Sequence, residues 1–214
     1  QKIKDKTFPG AVLLMSKNGK IFHLDSYGYQ NIEKNIKMNA NSLFRIFSMT
    51  KPITSAAVMI LYDRGHLKLN DPITKFFPSM KNIYLLDSEN MSRKKPQTFP
   101  TVLDLLTHSS GITYGRPIIV DHNVKNEYRK LNVITWNQTN EEFTKKISQL
   151  PLVFEPSSAW EYGHSTDVLA RIVEKVSGMR FDLFIKENIF VPLQMNETGY
   201  KIETLNVNRI AEQL

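Results

Sequence analysis

Between Pro52 and Arg64 the chain is apolar nearly all the way round a helix, and no other stretch constrains the fold as much. Ile53, Ala56, Ala57, Ile60 and Leu61 form one stripe at helical spacing, and Val58 and Met59 fill much of the remainder. A helix without a polar face is a core helix, so the rest of the chain must pack around it. Pro52 suits the first turn, where its missing N–H has no helical partner anyway, and Gly65 suits the stop. At the mouth of this helix stands Ser48-Met49-Thr50-Lys51. Residues three apart share a helix face, which puts the Ser48 hydroxyl within reach of the Lys51 amine. A serine hydroxyl needs a neighbouring base to act as a nucleophile at neutral pH. An amine serves if burial and nearby charge lower its pKa. The competing reading is an N-capping serine followed by a lysine that snorkels to solvent.

The rest of the chain predicts a hairpin followed mostly by helices. Two apolar runs, Ala11 to Lys17 and Lys20 to Asp25, flank Asn18-Gly19, the strongest short hairpin signal. Tyr27 to Asn31 either continues the second strand or turns away, and residues 32–42 read as loop. Asn70-Asp71-Pro72 marks a turn, with a short helix over Ile73 to Phe77 ended by Pro78. Residues 79–100 read as irregular, and residues 112–138 as a long excursion. Thr101 with Asp104 resembles a capping box for a helix over Val102 to Thr107. Asn140 is expected to cap a helix that Pro151 stops. Val168, Leu169, Ile172, Val173 and Val176 predict a helix from about Ser165 to Gly178, and Phe181 to Phe190 a last amphipathic one. A lone hairpin is marginal and wants further strands, which the residues after 190 are too few to supply.

Composition narrows the chemistry. The chain has no cysteine, which excludes a disulfide scaffold, a cysteine nucleophile and thiolate zinc sites. Its net charge of +7 is scattered, with Arg93-Lys94-Lys95 the tightest basic run. A nucleic-acid surface wants basic residues interleaved with aromatics along one element, so nucleic acid is not an expected partner. No run of 18 apolar residues exists, and no integral membrane segment is expected. There is no G-x-S-x-G elbow, H-E-x-x-H pair, G-x-G-x-x-G turn or P-loop, so no metal or cofactor is implied.

A second candidate stands far along the chain. Trp160-Glu161-Tyr162-Gly163-His164-Ser165 precedes the predicted 165–178 helix. A tyrosine in a tight loop at a helix entry can aim its hydroxyl into a cleft. Beside Lys51 its phenolate would be favoured, and it could take the Ser48 proton. The alternative is a core aromatic with a satisfied hydroxyl.

Phe44 to Thr54, with Ser48-x-x-Lys51 inside it, resembles the nucleophile motif of the serine β-lactamase and penicillin-binding-protein superfamily. The class C β-lactamases and the family VIII esterases are the most similar branch. Further segments resemble that branch in order: Asp63 to Pro72, Leu105 to Ile112, Pro156 to Tyr162, Asp167 to Gly178, and Pro192 to Met195. The resemblance implies an α/β (α+β) fold, an antiparallel sheet flanked by helices with a helical subdomain. It implies Ser48 as acyl-forming nucleophile, Lys51 as its orienting partner and Tyr162 as general base and acid. One oxyanion donor would be the Ser48 backbone N–H.

Three departures qualify this. The family's Y-x-N is Tyr162-Gly163-His164 here, so the asparagine amide is missing. His164 then either hydrogen-bonds a substrate or lies at the surface. Turn glycines of the family are Ser157 and Gln194. The family's late K-T-G-type motif is absent, and Glu197-Thr198-Gly199 does not replace it. Residues 1–214 therefore read as one β-lactamase-like serine hydrolase domain, incomplete at its C-terminus and partnered by the remaining C-terminal part of the same protein. The expected substrate is a small-molecule ester or amide, with a carboxylesterase first, and a β-lactamase or D-amino-acid peptidase second. A catalytically inactive binding or assembly protein on this fold is the reading from another class.

Overall fold

The structure is a computed structural model that describes residues 8–86, 92–115, 124–135, 137–201 and 204–212. The chain divides into two units, Gln1–Ser48 with Gly199–Leu214, and Met49–Thr198.

In the first unit, β1 (Gly10–Lys17) pairs antiparallel with β2 (Lys20–Asn31) from Gly10↔Gly28 to Lys17↔Lys20. Asn18 and Gly19 both take positive φ, 50° and 74°, which is the type I′ geometry that an Asn-Gly turn favours. The second strand does run on to Asn31, and β3 (Ile36–Lys37) pairs with its end, inside a stretch read as loop. Among the described residues beyond 190 no strand forms, as expected, but two contacts reach back to the 41–43 stretch. Ile210 forms a parallel bridge to Leu43, and Arg209 donates two bonds to the Asn41 carbonyl.

The second unit is mainly helical. Its elements are α1 (Thr50–Asp63), α2 (Ile73–Phe76), β4 (Tyr84–Leu86), β5 (Arg93–Lys94), α3 (Val102–Thr107), α4 (Lys125–Lys130), α5 (Asn140–Ile147), β6 (Pro151–Leu152), α6 (Ser165–Ser177) and α7 (Phe181–Ile185). A π-helical turn, Lys186–Phe190, prolongs α7 where one amphipathic helix was expected. The stretches read as irregular hold short elements. β4 lies between β5 and β6 in a small three-stranded sheet, and α4 falls in the supposed excursion. Two-residue strands are too short to show a period, which is why sequence patterning misses them.

α6 packs against both α1 and α3, and Ala57, Val58, Leu105, Leu169, Ile172 and Val173 on these helices are fully buried. Each large side chain among them contributes about 1.5–3 kcal/mol by leaving water. α1 buries one face, Thr54, Ala57, Val58 and Leu61, and Ala56 faces out, so its apolar stripe is narrower than the sequence implied. Capping boxes start α3 at Thr101 with Asp104, as predicted, and α5 at Thr139 with Glu142. The α5 cap is thus Thr139, one residue before the predicted Asn140, because Glu142 then stands at the reciprocal third position.

Candidate active site

Lys51 enters from the first turn of α1, and its side chain is half-buried. It donates a 3.0 Å hydrogen bond to the Tyr114 hydroxyl. It also hydrogen-bonds Tyr162, with Nζ 4.7 Å from the centre of that ring. Sequence reasoning paired Lys51 with Tyr162, and the structure brings them together. It also shows that Lys51 does not snorkel to solvent. Tyr114 was missed. Its only signal was an aromatic following Ser109-Ser110-Gly111-Ile112, in a region without periodicity.

Two chain segments carry the tyrosines, and they run side by side. Val153 N–H donates to Gly111 O, Ser157 N–H to Ser109 O, and Glu161 N–H to His108 O, at 2.9–3.0 Å. Both turn sharply to do so. His108 ends α3 in the left-handed region at φ 59°, and Ser157 stands at φ 68° where the resemblance expects glycine. Gln194, the other such substitution, is likewise left-handed at φ 55°, so both are structural turn positions. Asp104 locks the turn. Its carboxylate accepts from Ser157 Oγ, Ser109 Oγ at 3.0 Å, Thr101 Oγ1 at 2.7 Å and Thr101 N–H at 2.8 Å. Burial pushes the Asp104 carboxyl up, but these donors outweigh it and hold it below the usual carboxylate range.

Farther along, Gly163 lets the segments touch. A Cβ there would lie 2.2 Å from the Ile112 carbonyl oxygen and 2.6 Å from Thr113 Cα, so only glycine fits without displacing backbone. Thr113 Oγ1 donates to the fully buried Glu161 carboxylate at 3.3 Å, and the Ser110 and Ser165 hydroxyls meet at 2.8 Å. Around Tyr162 stand the rings of His108 at 4.9 Å, Tyr114 at 5.6 Å and Trp160 at 6.3 Å. His108 is therefore a packing residue against Tyr162. Burial and the nearby Lys51 charge both lower its pKa, which favours a neutral ring.

The protonation pattern corrects one expectation. An amine acting as base was expected to have a lowered pKa. Burial does pull Lys51 down, but hydrogen bonds to Tyr162 and Tyr114 outweigh it, and Lys51 lies above its ordinary value. Lys51 is thus an ammonium at neutral pH. Burial likewise raises Tyr114, and Lys51 does not reverse it, so Tyr114 is a neutral phenol.

His164 is not at the surface. It is 5% exposed at the N-terminal end of α6, with Nδ1 3.0 Å from Asp167 Oδ2. Ser48 is exposed in the 3-10 turn Phe47–Met49, which runs directly into α1. The N-cap position of α1 belongs to Met49, not to Ser48. Phe47 just ahead of Ser48 takes φ 42°, a strained conformation for a bulky residue of the kind found at functional turns. Among the described residues no cluster of ligating side chains could hold a metal ion, and no helix is long and apolar enough to cross a membrane.

A family model described as Beta-lactamase matches residues 1–212. Protein Rv1367c of Mycobacterium tuberculosis is 34% identical over 196 residues, 90% of this chain and 48% of that protein. Esterase EstB of Burkholderia gladioli is 28% identical over 204 residues, 94% of this chain and 49% of the esterase. The structure of EstCE1, a hydrolase with promiscuous acyltransferase activity, matches with a TM-score of 0.84 at 22% identity, covering 98% of this chain and 52% of that one. The chain thus spans about half the length of these relatives. The motifs around Ser48 and Tyr162, the mixed sheet-and-helix fold and the near-complete match of the family model agree, and the chain belongs to the beta-lactamase family.

Proposed function

We propose that this chain carries the nucleophile and proton-transfer groups of a serine hydrolase acting on small esters. The observation that supports this most is the Lys51 ammonium held between two phenols, with a hydrogen bond of 3.0 Å to Tyr114 and a second to Tyr162. A charged lysine cannot accept a proton. It stabilises an adjacent phenolate instead, which makes Tyr162 the base and Lys51 its electrostatic support.

In this scheme Ser48 Oγ attacks the ester carbonyl while its proton passes to the Tyr162 phenolate. The tetrahedral intermediate collapses, the alkoxide leaves with the proton from Tyr162, and acyl-Ser48 remains. Water then attacks the acyl group, Tyr162 again takes the proton, and Ser48 recovers it as the acid departs. Lys51 and Tyr162 share one proton and titrate as a pair. The Ser48 backbone N–H is the proposed first oxyanion donor.

Esters are favoured over β-lactams by the residue two positions beyond Tyr162. The amide of a Y-x-N motif is replaced by His164, which is buried with Nδ1 engaged by Asp167. A site without a hydrogen-bond partner for a substrate amide discriminates poorly in its favour. The likeness to an esterase, EstB, points the same way. The test is kcat/KM of the full-length protein on p-nitrophenyl butyrate and on nitrocefin. The expected result is a preference for the ester of about a hundredfold or more. Equal or better turnover of nitrocefin would overturn the ester assignment.

A further inference from the structure

Tyr114 and His164 take no part in the proposed proton transfers from Ser48, yet Tyr114 accepts a hydrogen bond from Lys51 and His164 packs on Tyr114. The Tyr114 ring meets the His164 ring edge to face, with centres 4.4 Å apart and planes at 80°. The Phe143 ring meets His164 at 5.1 Å. His164 is fixed from three directions. Its Nδ1 is bound to Asp167 at 3.0 Å, and its carbonyl accepts the Asp167 and Val168 N–H groups at 3.1 and 3.2 Å. Its ring is held between Tyr114 and Phe143. Its Nε2 is buried and, among the described residues, has no hydrogen-bond partner, and its ring meets Tyr114 by packing.

A lysine ammonium rides on a flexible four-carbon stem, so its position is set by the acceptors around it. Tyr162 is fixed by His108, Trp160 and the Gly163 contact. Tyr114 follows Thr113, whose N–H donates to the Tyr128 hydroxyl at 3.4 Å and whose Oγ1 donates to Glu161 and accepts from Gly115 N–H, both at 3.3 Å. The ring itself contacts His164 at 4.4 Å and Tyr162 at 5.6 Å.

We propose that Tyr114 is a positioning residue for Lys51, and that the buried Asp167–His164 pair is the strut that holds Tyr114 in place. This rests on the proposed roles of Lys51 and Tyr162. The position where the family resemblance expects asparagine then serves in this chain as a support behind the second phenol. Lys51 is faced by Tyr162, Tyr114 and His108, and the Asp167 charge acts on both Tyr114 and His108. Tyr114 contributes an uncharged acceptor that favours the ammonium over the free amine.

The experiment is a titration of the Lys51 side chain by NMR in the full-length protein labelled with isotopic lysine, assigned by loss of the signal in Lys51→Arg. Tyr114→Phe removes one hydroxyl and should lower the Lys51 midpoint. His164→Ala should lower it by less, and His164→Phe, which keeps a ring against Tyr114, should restore part of the loss. The double variant Tyr114→Phe/His164→Ala should match Tyr114→Phe, because His164 acts through Tyr114. In ester turnover the alkaline limb of kcat/KM should move with the Lys51 midpoint while the acid limb stays. The kcat of His164→Ala should fall about ten- to a hundredfold with KM little changed. An unmoved Lys51 midpoint in folded Tyr114→Phe would overturn the proposal, as would additive shifts in the double variant. If His164→Ala does not fold, Tyr114→Phe alone decides. If the protein turns over no ester, the proposed function fails, and the NMR titration still judges the strut.

Discussion

The hairpin and the helical unit are built by different means. Along β1 and β2, Leu14, Ile21, Phe22 and Leu24 are all exposed, and the ladder and an Asn-Gly turn define the strands. In the helical unit the order is reversed. Apart from the Thr101 cap, backbone signals are weak over residues 79–138, yet Val102, Leu105 and Ile112 within that range are fully enclosed. Local backbone chemistry can fix a turn, but it cannot remove solvent from a lysine. Lys51, Tyr114 and Tyr162, the groups proposed to govern proton transfer, therefore stand where packing brings distant segments together, on the α1 entry and on the two neighbouring stretches around 108–115 and 153–164.

Two glycines, one in each region, sharpen this contrast. Gly163→Ala should have the larger effect. Its Cβ would meet backbone at 2.2 Å, so the two tyrosine-bearing segments must separate. The expected cost is about 3 kcal/mol in stability and about a hundredfold in ester kcat/KM. Denaturant melts and steady-state kinetics measure both, and near-wild-type values for the folded variant would show that the segments are not pressed together.

Asp104→Asn comes next, at about 2 kcal/mol, since it weakens charge-assisted bonds to Thr101, Ser109 and Ser157. The Asp104 carboxyl is held below its usual value, so its contribution is present above the unfolded pKa of about 3.9 and is lost as pH falls through the folded one. Stability of the wild type should therefore fall more steeply than that of Asp104→Asn between about pH 5 and pH 3. Parallel acid limbs would contradict the placement of the charge.

Gly19→Ala should cost least, about 1 kcal/mol. At φ 74° alanine is strained, but the added Cβ meets nothing within 4 Å. Ester kcat/KM should not change, and a loss above about threefold would show that the hairpin turn reports to the chemistry.

The parts legible in the sequence were those fixed by short-range physics. Asn18-Gly19 specified the hairpin, Thr101 with Asp104 the α3 cap, and the apolar spacing of Val168 to Val173 the buried face of α6. Ser157 and Gln194 were read correctly as turn positions despite lacking glycine. Tyr162 was legible through its motif. Tyr114 was not, because its place beside Lys51 goes with Gly163 admitting a neighbouring backbone 50 residues away, which no local pattern encodes. His164 could not be placed for the same reason. Its burial is set by Tyr114 and Phe143, residues distant in sequence. The α5 cap slipped by one residue because Thr139 and Asn140 are both good caps and only Glu142 decides between them.

The central claim is that Ser48 is a live nucleophile whose proton goes to Tyr162 with Lys51 in support. The most direct test is to treat the full-length protein with a fluorophosphonate and map the adduct by mass spectrometry, following its rate in wild type, Ser48→Ala and Tyr162→Phe. The account predicts an adduct on Ser48, none in Ser48→Ala, and labelling slowed at least about a hundredfold in Tyr162→Phe. A wild-type protein that takes no label at Ser48, or a Tyr162→Phe variant that labels as fast as wild type, would contradict it.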